Sequence, residues 1–371
     1  MNRIKYFAMM ASVLLAFGCT EKPEEPKEEE KDLSGEVTLS TDRTAICSDG
    51  KDAAVFTVTI KGEDGTITDI TEESEIYFSD TDALLESSRF ATDKSGEYAF
   101  YAAYGLSLSN EVKISALAVI PSVPEDPKED GTAFRHRMLL VQHTGATCPN
   151  CPLMMNSLKA LSENDEYNDS FNLVASHSYY DGLNDDAYSP AAKTLSATFC
   201  SGAYPELTFN LTNTSTGHNY NDICTQVGLH ARESAHAGIA MAVEAAEGEV
   251  IACVEFKFAE GKTYRAGAWL LEDDIFVRQS GATDSWQHYH NNALRAMYGE
   301  KQTENIYGAS IGNMKAGNKV EKMFRFPLED SWKAENCKVM AFVTEADAEG
   351  DYDIVNCVIC KVGETVSYEY K

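Results

Sequence analysis

Four residues, Cys148-Pro149-Asn150-Cys151, constrain this chain more than any other feature, because of what flanks them. Before them, "MLLV" at 138–141 is a continuous apolar run, as a strand buried on both faces requires. After them, Met154, Leu158 and Leu161 fall at i, i+4 and i+7, the apolar stripe of an amphipathic helix. Strand, CxxC, helix is an order with a mechanism. A helix that starts at Pro149 makes Cys148 its N-cap, and proline suits the first position because it has no N–H to leave unpaired. The free N–H groups and partial positive charge there favour thiolate, lowering a cysteine pKa from about 8.5 toward roughly 3.5–7.5. Cys151, one turn on, can then resolve a mixed disulfide formed at Cys148.

The elements around this motif read as α/β over residues 132–236. "FNLVASHS" is a second buried strand, and "DDAYSPAAKTLSATFC" is mostly helical in pattern, with Pro190 either in the first turn or breaking the helix. "GAYPELTFNL" starts a strand just after Pro205, and "NYNDICTQVGLHARES" closes the region as a helix. This order implies a parallel core. Tyr204-Pro205 resembles the cis-proline element of thioredoxin-like domains, which faces the CxxC and offers backbone groups to an extended substrate.

On either side the pattern is β. Residues 34–121 alternate strictly, with Ala54, Phe56, Val58 and Ile60 on one face and Val55, Thr57, Thr59 and Lys61 on the other, and fit an immunoglobulin-like sandwich. Residues 122–131, rich in proline and acid, read as a semi-rigid linker. Residues 237–371 return to alternation and read as a C-terminal β-sandwich, with "HYHNNALRAMYG" as an inserted helical segment. The fold class expected is therefore multi-domain α+β, with a thioredoxin-like centre between two β-sandwich domains.

The chain begins "MNRIKYFAMMASVLLAFGC": a basic start, then an apolar stretch too short to span a bilayer. Residues 1–18 read as a signal peptide, and "AFGC" resembles a bacterial lipobox in which Cys19 receives lipid. Residues 19–33 follow as an acidic tether with almost nothing apolar to bury. An acidic run in that place also resembles the export signal of surface lipoproteins. The formal charge of −28 excludes nucleic acid as a partner, since phosphates need Lys and Arg to neutralise them.

Taken together, "TGATCPNCP", "AYPELTFNL", "YHNNALRAMYG" and "VMAFVTEAD…DIVNCVICKV" behind a lipoprotein signal resemble the outer membrane protein 28-related lipoproteins over residues 132–371. The resemblance implies a thioredoxin-like domain joined to a β-sandwich, in a lipoprotein of the outer membrane; which face of that membrane it occupies stays open. It says less about activity. Two functions stay open: thiol–disulfide exchange on a protein substrate, with Cys148 and Cys151 as catalytic residues and Tyr204 and Pro205 positioning the client, or non-enzymatic binding and adhesion on a thioredoxin-like scaffold. Neither needs a cofactor.

The remaining cysteines and histidines argue for no metal. Cys357 and Cys360 sit three apart in an alternating stretch, where they point to opposite faces and pack as small residues. Cys200–Cys224 and Cys253–Cys337 are candidate disulfides. His143 is read as a hydrogen-bonded loop residue or a tuner of the thiolate. His288 and His290 stand i, i+2 beside Asn291 and Arg295, which is poor metal geometry on a helix.

Overall fold

The computed structural model describes residues 35–212, 214–230, 233–346 and 352–371. The signal peptide, the lipidation candidate Cys19 and the acidic tether lie outside the described residues. The contacts divide the chain into two units. One takes residues up to Asp42, Phe56–Ser88 and Ala99–Val112; the other takes Arg43–Val55, Arg89–Tyr98 and Lys113–Lys371. Much of the chain is strand, arranged in several sheets.

In the first unit, Glu36–Thr41 pairs antiparallel with the Ala54–Lys61 strand, and Ile67–Asp69 pairs along that strand's other edge. A second set joins Glu75–Phe78 to Leu84–Leu85 and to the Gly96–Tyr104 strand. The alternation expected from sequence is present, with Phe56, Val58 and Ile60 buried and their neighbours partly exposed. Phe100 fills the interior against Phe56 at 4.8 Å and Phe78 at 4.9 Å between ring centroids.

The second unit is built on one nine-stranded sheet. Met138–Thr144 is buried along its whole length and runs parallel to Phe171–His177 and antiparallel to Glu206–Phe209. Its two faces meet different layers. Leu139 and Val141 pack with Ala192 and Leu195 of the Pro190–Phe199 helix; Met138 and Leu140 pack with Met154, Leu158, Ile223 and Val227 of the Cys151–Ser162 and Tyr220–His230 helices. Pro190 opens its helix, and the Ser189 hydroxyl caps it by accepting the Ala192 N–H at 3.0 Å.

The sheet does not stop at residue 236. Phe171–His177 bridges in parallel to Ala293–Met297, which pairs with Thr263–Glu272, and the order continues through Cys337–Ala346 to Tyr352–Lys361. A four-stranded sheet of Ala237–Ala246, Glu249–Phe258, Lys319–Pro327 and Glu364–Val366 supplies the other layer of the core in this part. Glu247 and Gly248, both with positive φ, make the two-residue hairpin turn at its centre. The boundary expected at 236/237 is thus no break in the hydrogen bonding, because strands from both sides of it share one sheet.

Three local expectations need correction. "HYHNNALRAMYG" is not helical: Tyr289–His290 and Ala293–Met297 are strands. Residues 122–131, read as a semi-rigid linker, are tied to the folded part. Buried Lys257 donates to Asp126 Oδ2 at 2.8 Å, to the Lys128 carbonyl at 3.2 Å and to the Tyr370 hydroxyl at 3.1 Å, which holds the segment down. Finally, neither extra disulfide forms: Cys200, Cys224, Cys253 and Cys337 are all free thiols. Cys253 alternates with inward-facing Ala252 and Val254, whereas Cys337 lies in the core they line, so sheet geometry keeps the two apart. Cys224 packs with the layer of Met154 and Ile223, while the helix ending at Phe199 lies on the opposite face.

Candidate functional site

Cys148 and Cys151 form a disulfide, with Cα atoms 5.5 Å apart. The helix begins at Cys151 rather than Pro149, with Asn150 at the N-cap and Pro152 in the first turn. Both prolines satisfy the first-turn preference, so the sequence alone could not choose between them. Cys148 therefore stands ahead of the helix, in a turn closed by its N–H on the Gly145 carbonyl at 3.1 Å. The Tyr204-Pro205 peptide bond is cis, as the resemblance implied. His143 pairs with Glu206, so the CxxC turn after Thr144 and the cis bond before Glu206 emerge at the same end of adjacent strands. Tyr204 reaches toward that turn through Tyr179. Their rings lie 5.1 Å apart, and Tyr179 packs so closely on Gly145 that a Cβ there would meet it at 2.6 Å. The Tyr204 and Ser178 hydroxyls share a hydrogen bond at 2.9 Å.

The site is covered. Cys148 is 1% exposed and Cys151 0%. The cover is the segment 279–287, unforeseen from sequence. Gln279 Nε2 donates to the Cys148 carbonyl at 2.8 Å, and the Ser280 N–H donates to the Ala146 carbonyl at 2.7 Å. Gly281, at φ +71°, lies so close that a Cβ would sit 2.1 Å from the Pro149 oxygen. Gln287 Nε2 donates to Asn156 Oδ1 at 3.0 Å and the Pro152 carbonyl at 3.3 Å, while its Oε1 accepts the Thr283 N–H at 2.8 Å. Reactive cysteines occupy partly exposed, electropositive surroundings, and buried ones are inert.

Beneath the turn lies a buried polar group that sequence reasoning also missed. Asp185 Oδ2 accepts from His177 Nδ1 at 2.9 Å and from the Ala146 N–H at 2.7 Å. Burial pushes the Asp185 carboxyl up, but His177 and these hydrogen bonds outweigh it and hold it down at about 2. The His290 ring stands edge-on to His177, with centroids 4.7 Å apart, and burial together with His177 holds His290 down at about 3. His143 is a strand residue, not a loop residue. It shares hydrogen bonds with Ser196 Oγ at 2.8 Å and Thr208 Oγ1 at 3.2 Å, and burial lowers it to about 4. These partners anchor it to the sheet and the 190–199 helix.

Cys357 and Cys360 do point to opposite faces of their strand, one into the layer of Trp269 and Phe342, the other toward Val254 and Phe324. Among the described residues no group of His, Cys, Asp or Glu could hold a metal ion. Arg295, expected within a helical segment, is buried in the sheet with its Nε on Glu272 at 2.7 Å.

Comparison with known proteins places this architecture. The sequence model of the Outer membrane protein Omp28 family matches residues 192–366. The structure of HBP35 of Porphyromonas gingivalis is similar over 63% of this chain and 77% of its own, at a TM-score of 0.51 and 19% identity. Protein AGR_C_4864 from Agrobacterium tumefaciens matches 63% of this chain and 97% of its own, at a TM-score of 0.40 and 13% identity. No curated protein matches.

Proposed function

We propose that this outer-membrane protein, whose residues 192–366 belong to the Omp28 family, is a binding lipoprotein whose Cys148–Cys151 disulfide is a structural staple. The observation that carries the reading is the closed cover: both cysteines are buried, and Gln279, Ser280 and Gly281 lie against the backbone of their turn. A thiol exchanger must present one sulfur to its client, and neither is accessible. In this reading residues 132–236 are a thioredoxin-like scaffold. Exposed Phe276 and Tyr289, with rings 5.3 Å apart on the hairpin beside the cover, are the aromatic anchors offered to a protein partner. Cys19 carries the lipid, and the acidic tether lets the folded part stand off the membrane at the cell surface.

The second reading, thiol–disulfide exchange, rests on the cis Tyr204-Pro205 bond at the same sheet end as the CxxC turn. It requires the cover to open. An insulin-reduction assay of the whole protein with dithiothreitol, beside its Cys148→Ser variant, separates the two. A binding protein gives equal, background rates for both. A wild-type rate well above the variant's would overturn the staple. Radiolabelled palmitate uptake that disappears in Cys19→Ser, with protease shaving of intact cells, tests the anchor and the display.

A further inference from the structure

A second cysteine pair, far from the CxxC, is placed to oxidise. In the four-stranded sheet Ile251 pairs with Arg325 and Cys253 with Met323. Their neighbours Val250, Ala252, Val254, Phe324 and Phe326 line the core, so Ile251, Cys253, Met323 and Arg325 form the sheet's outer face. That face is occupied. Arg325 donates to Glu249 at 2.8 Å on its own sheet, and also to Glu97 at 2.6 Å and Ser115 Oγ at 3.4 Å. Ser115 in turn donates to Glu97 at 2.8 Å.

The same register puts Cys47 on this contact. Ala45–Cys47 runs parallel to Val112–Leu117, pairing Ala45 with Ser115 and Cys47 with Leu117. Ile46, Ile114 and Ala116 face the other way and are buried. Cys47 therefore shares a face with Ser115, one pleat along from the Ser115–Arg325 contact. Cys253 stands one pleat along from Ile251, Arg325's direct partner. Glu97, Ser115, Arg325 and both cysteines belong to the second unit. Burial first, then Glu321 and Cys47, pushes the Cys253 thiol up to about 11. Both thiols are free and half-buried, within reach of a small reagent.

We propose that Cys47 and Cys253 are a latent disulfide that closes in the oxidising envelope and fastens the Ala45–Cys47 strand to the outer face of the 249–258 strand. The oxidant is an external disulfide, low-molecular-weight or protein-borne. One thiolate attacks a sulfur of that disulfide and expels the first thiol. The remaining cysteine attacks the mixed disulfide and expels the second. Two protein thiols and one disulfide thus become one protein disulfide and two small thiols, with protons conserved. Disulfides persist in such compartments.

The test uses the full chain, treated with oxidised glutathione, digested without reduction and mapped by mass spectrometry, beside Cys47→Ser and Cys253→Ser. The expected product is one cross-linked peptide pair joining Cys47 to Cys253. It is absent from both variants, and each variant carries glutathione on the cysteine that remains. Glutathione or alkylatable thiol on both cysteines of the wild type, or a bridge from Cys253 to any other cysteine, overturns the proposal. Denatured protein treated identically should give mixed pairings, which shows that the fold selects the pair.

Discussion

The Gln279 side-chain amide donates to the Cys148 carbonyl at 2.8 Å across 131 residues of sequence. This contact is the latch of the cover. Losing one buried hydrogen bond costs about 1 kcal/mol, which corresponds to a roughly fivefold larger open population. Gln279→Ala should therefore raise the rate at which dithiothreitol reduces the native disulfide by about that factor, read by quenched alkylation. Gly281→Ala, which drives a Cβ into Pro149, should raise it further. Unchanged rates in both would mean that the segment does not control access.

As a staple, the disulfide closes a very short loop. Loop-closure entropy for so few residues is worth about 2 kcal/mol. The Cys148→Ser/Cys151→Ser double variant should lose that much in urea unfolding and stay folded. A loss near zero would deny the disulfide a stabilising role.

The buried imidazoles predict acid sensitivity. His143 is lowered to about 4 and His290 to about 3, both from an ordinary 6.5. A folded-state value below the unfolded one means that the unfolded chain takes up protons first. Stability is then full above pH 6.5 and falls as the pH drops toward those values. Between pH 6.5 and 5 each imidazole should cost about 2 kcal/mol. Asp185, held at about 2 against an ordinary 3.8, adds a further loss only below pH 4. Urea midpoints at pH 7, 6 and 5 measure this, and His143→Gln should remove about half of the early slope.

Lys257 and Asp126 form an ion pair in which both side chains are almost wholly buried. Removing one partner of a buried pair typically costs roughly 3–5 kcal/mol, although Asp126 keeps Lys319 at 3.4 Å and the Tyr370 hydroxyl at 2.7 Å, which sets the loss at the low end of that range. Lys257→Met should lose about that much and make residues 122–131 a site of limited proteolysis. A segment still resistant to trypsin and Glu-C would show that other contacts hold it.

What was legible in the sequence was what local chemistry dictates. Pro190 could only open a helix or break it, Pro205 preceded a strand in the expected cis form, and the alternation around Cys357 and Cys360 separated their sulfurs. What misled was local preference overruled by distant partners. Ala293, Leu294, Arg295 and Met297 favour helix, yet they form a strand in the interior of the sheet. Arg295 tolerates burial only because Glu272 and the Asp186 and Tyr188 carbonyls take its N–H groups. The cover over the disulfide was illegible for the same reason. Nothing in "VRQSGATDSWQ" refers to a turn more than a hundred residues upstream.

The nine-stranded sheet also dictates when the molecule can assemble. Its strand order links Phe171–His177 to Thr263–Glu272 only through Ala293–Met297, and the far edge arrives with Tyr352–Lys361. A chain threaded unfolded through a translocon emerges N-terminus first, so this sheet stays an incomplete template until nearly the last residue has crossed. Such late closure leaves long apolar strands unpaired until the chain is nearly whole, the state in which aggregation competes with folding.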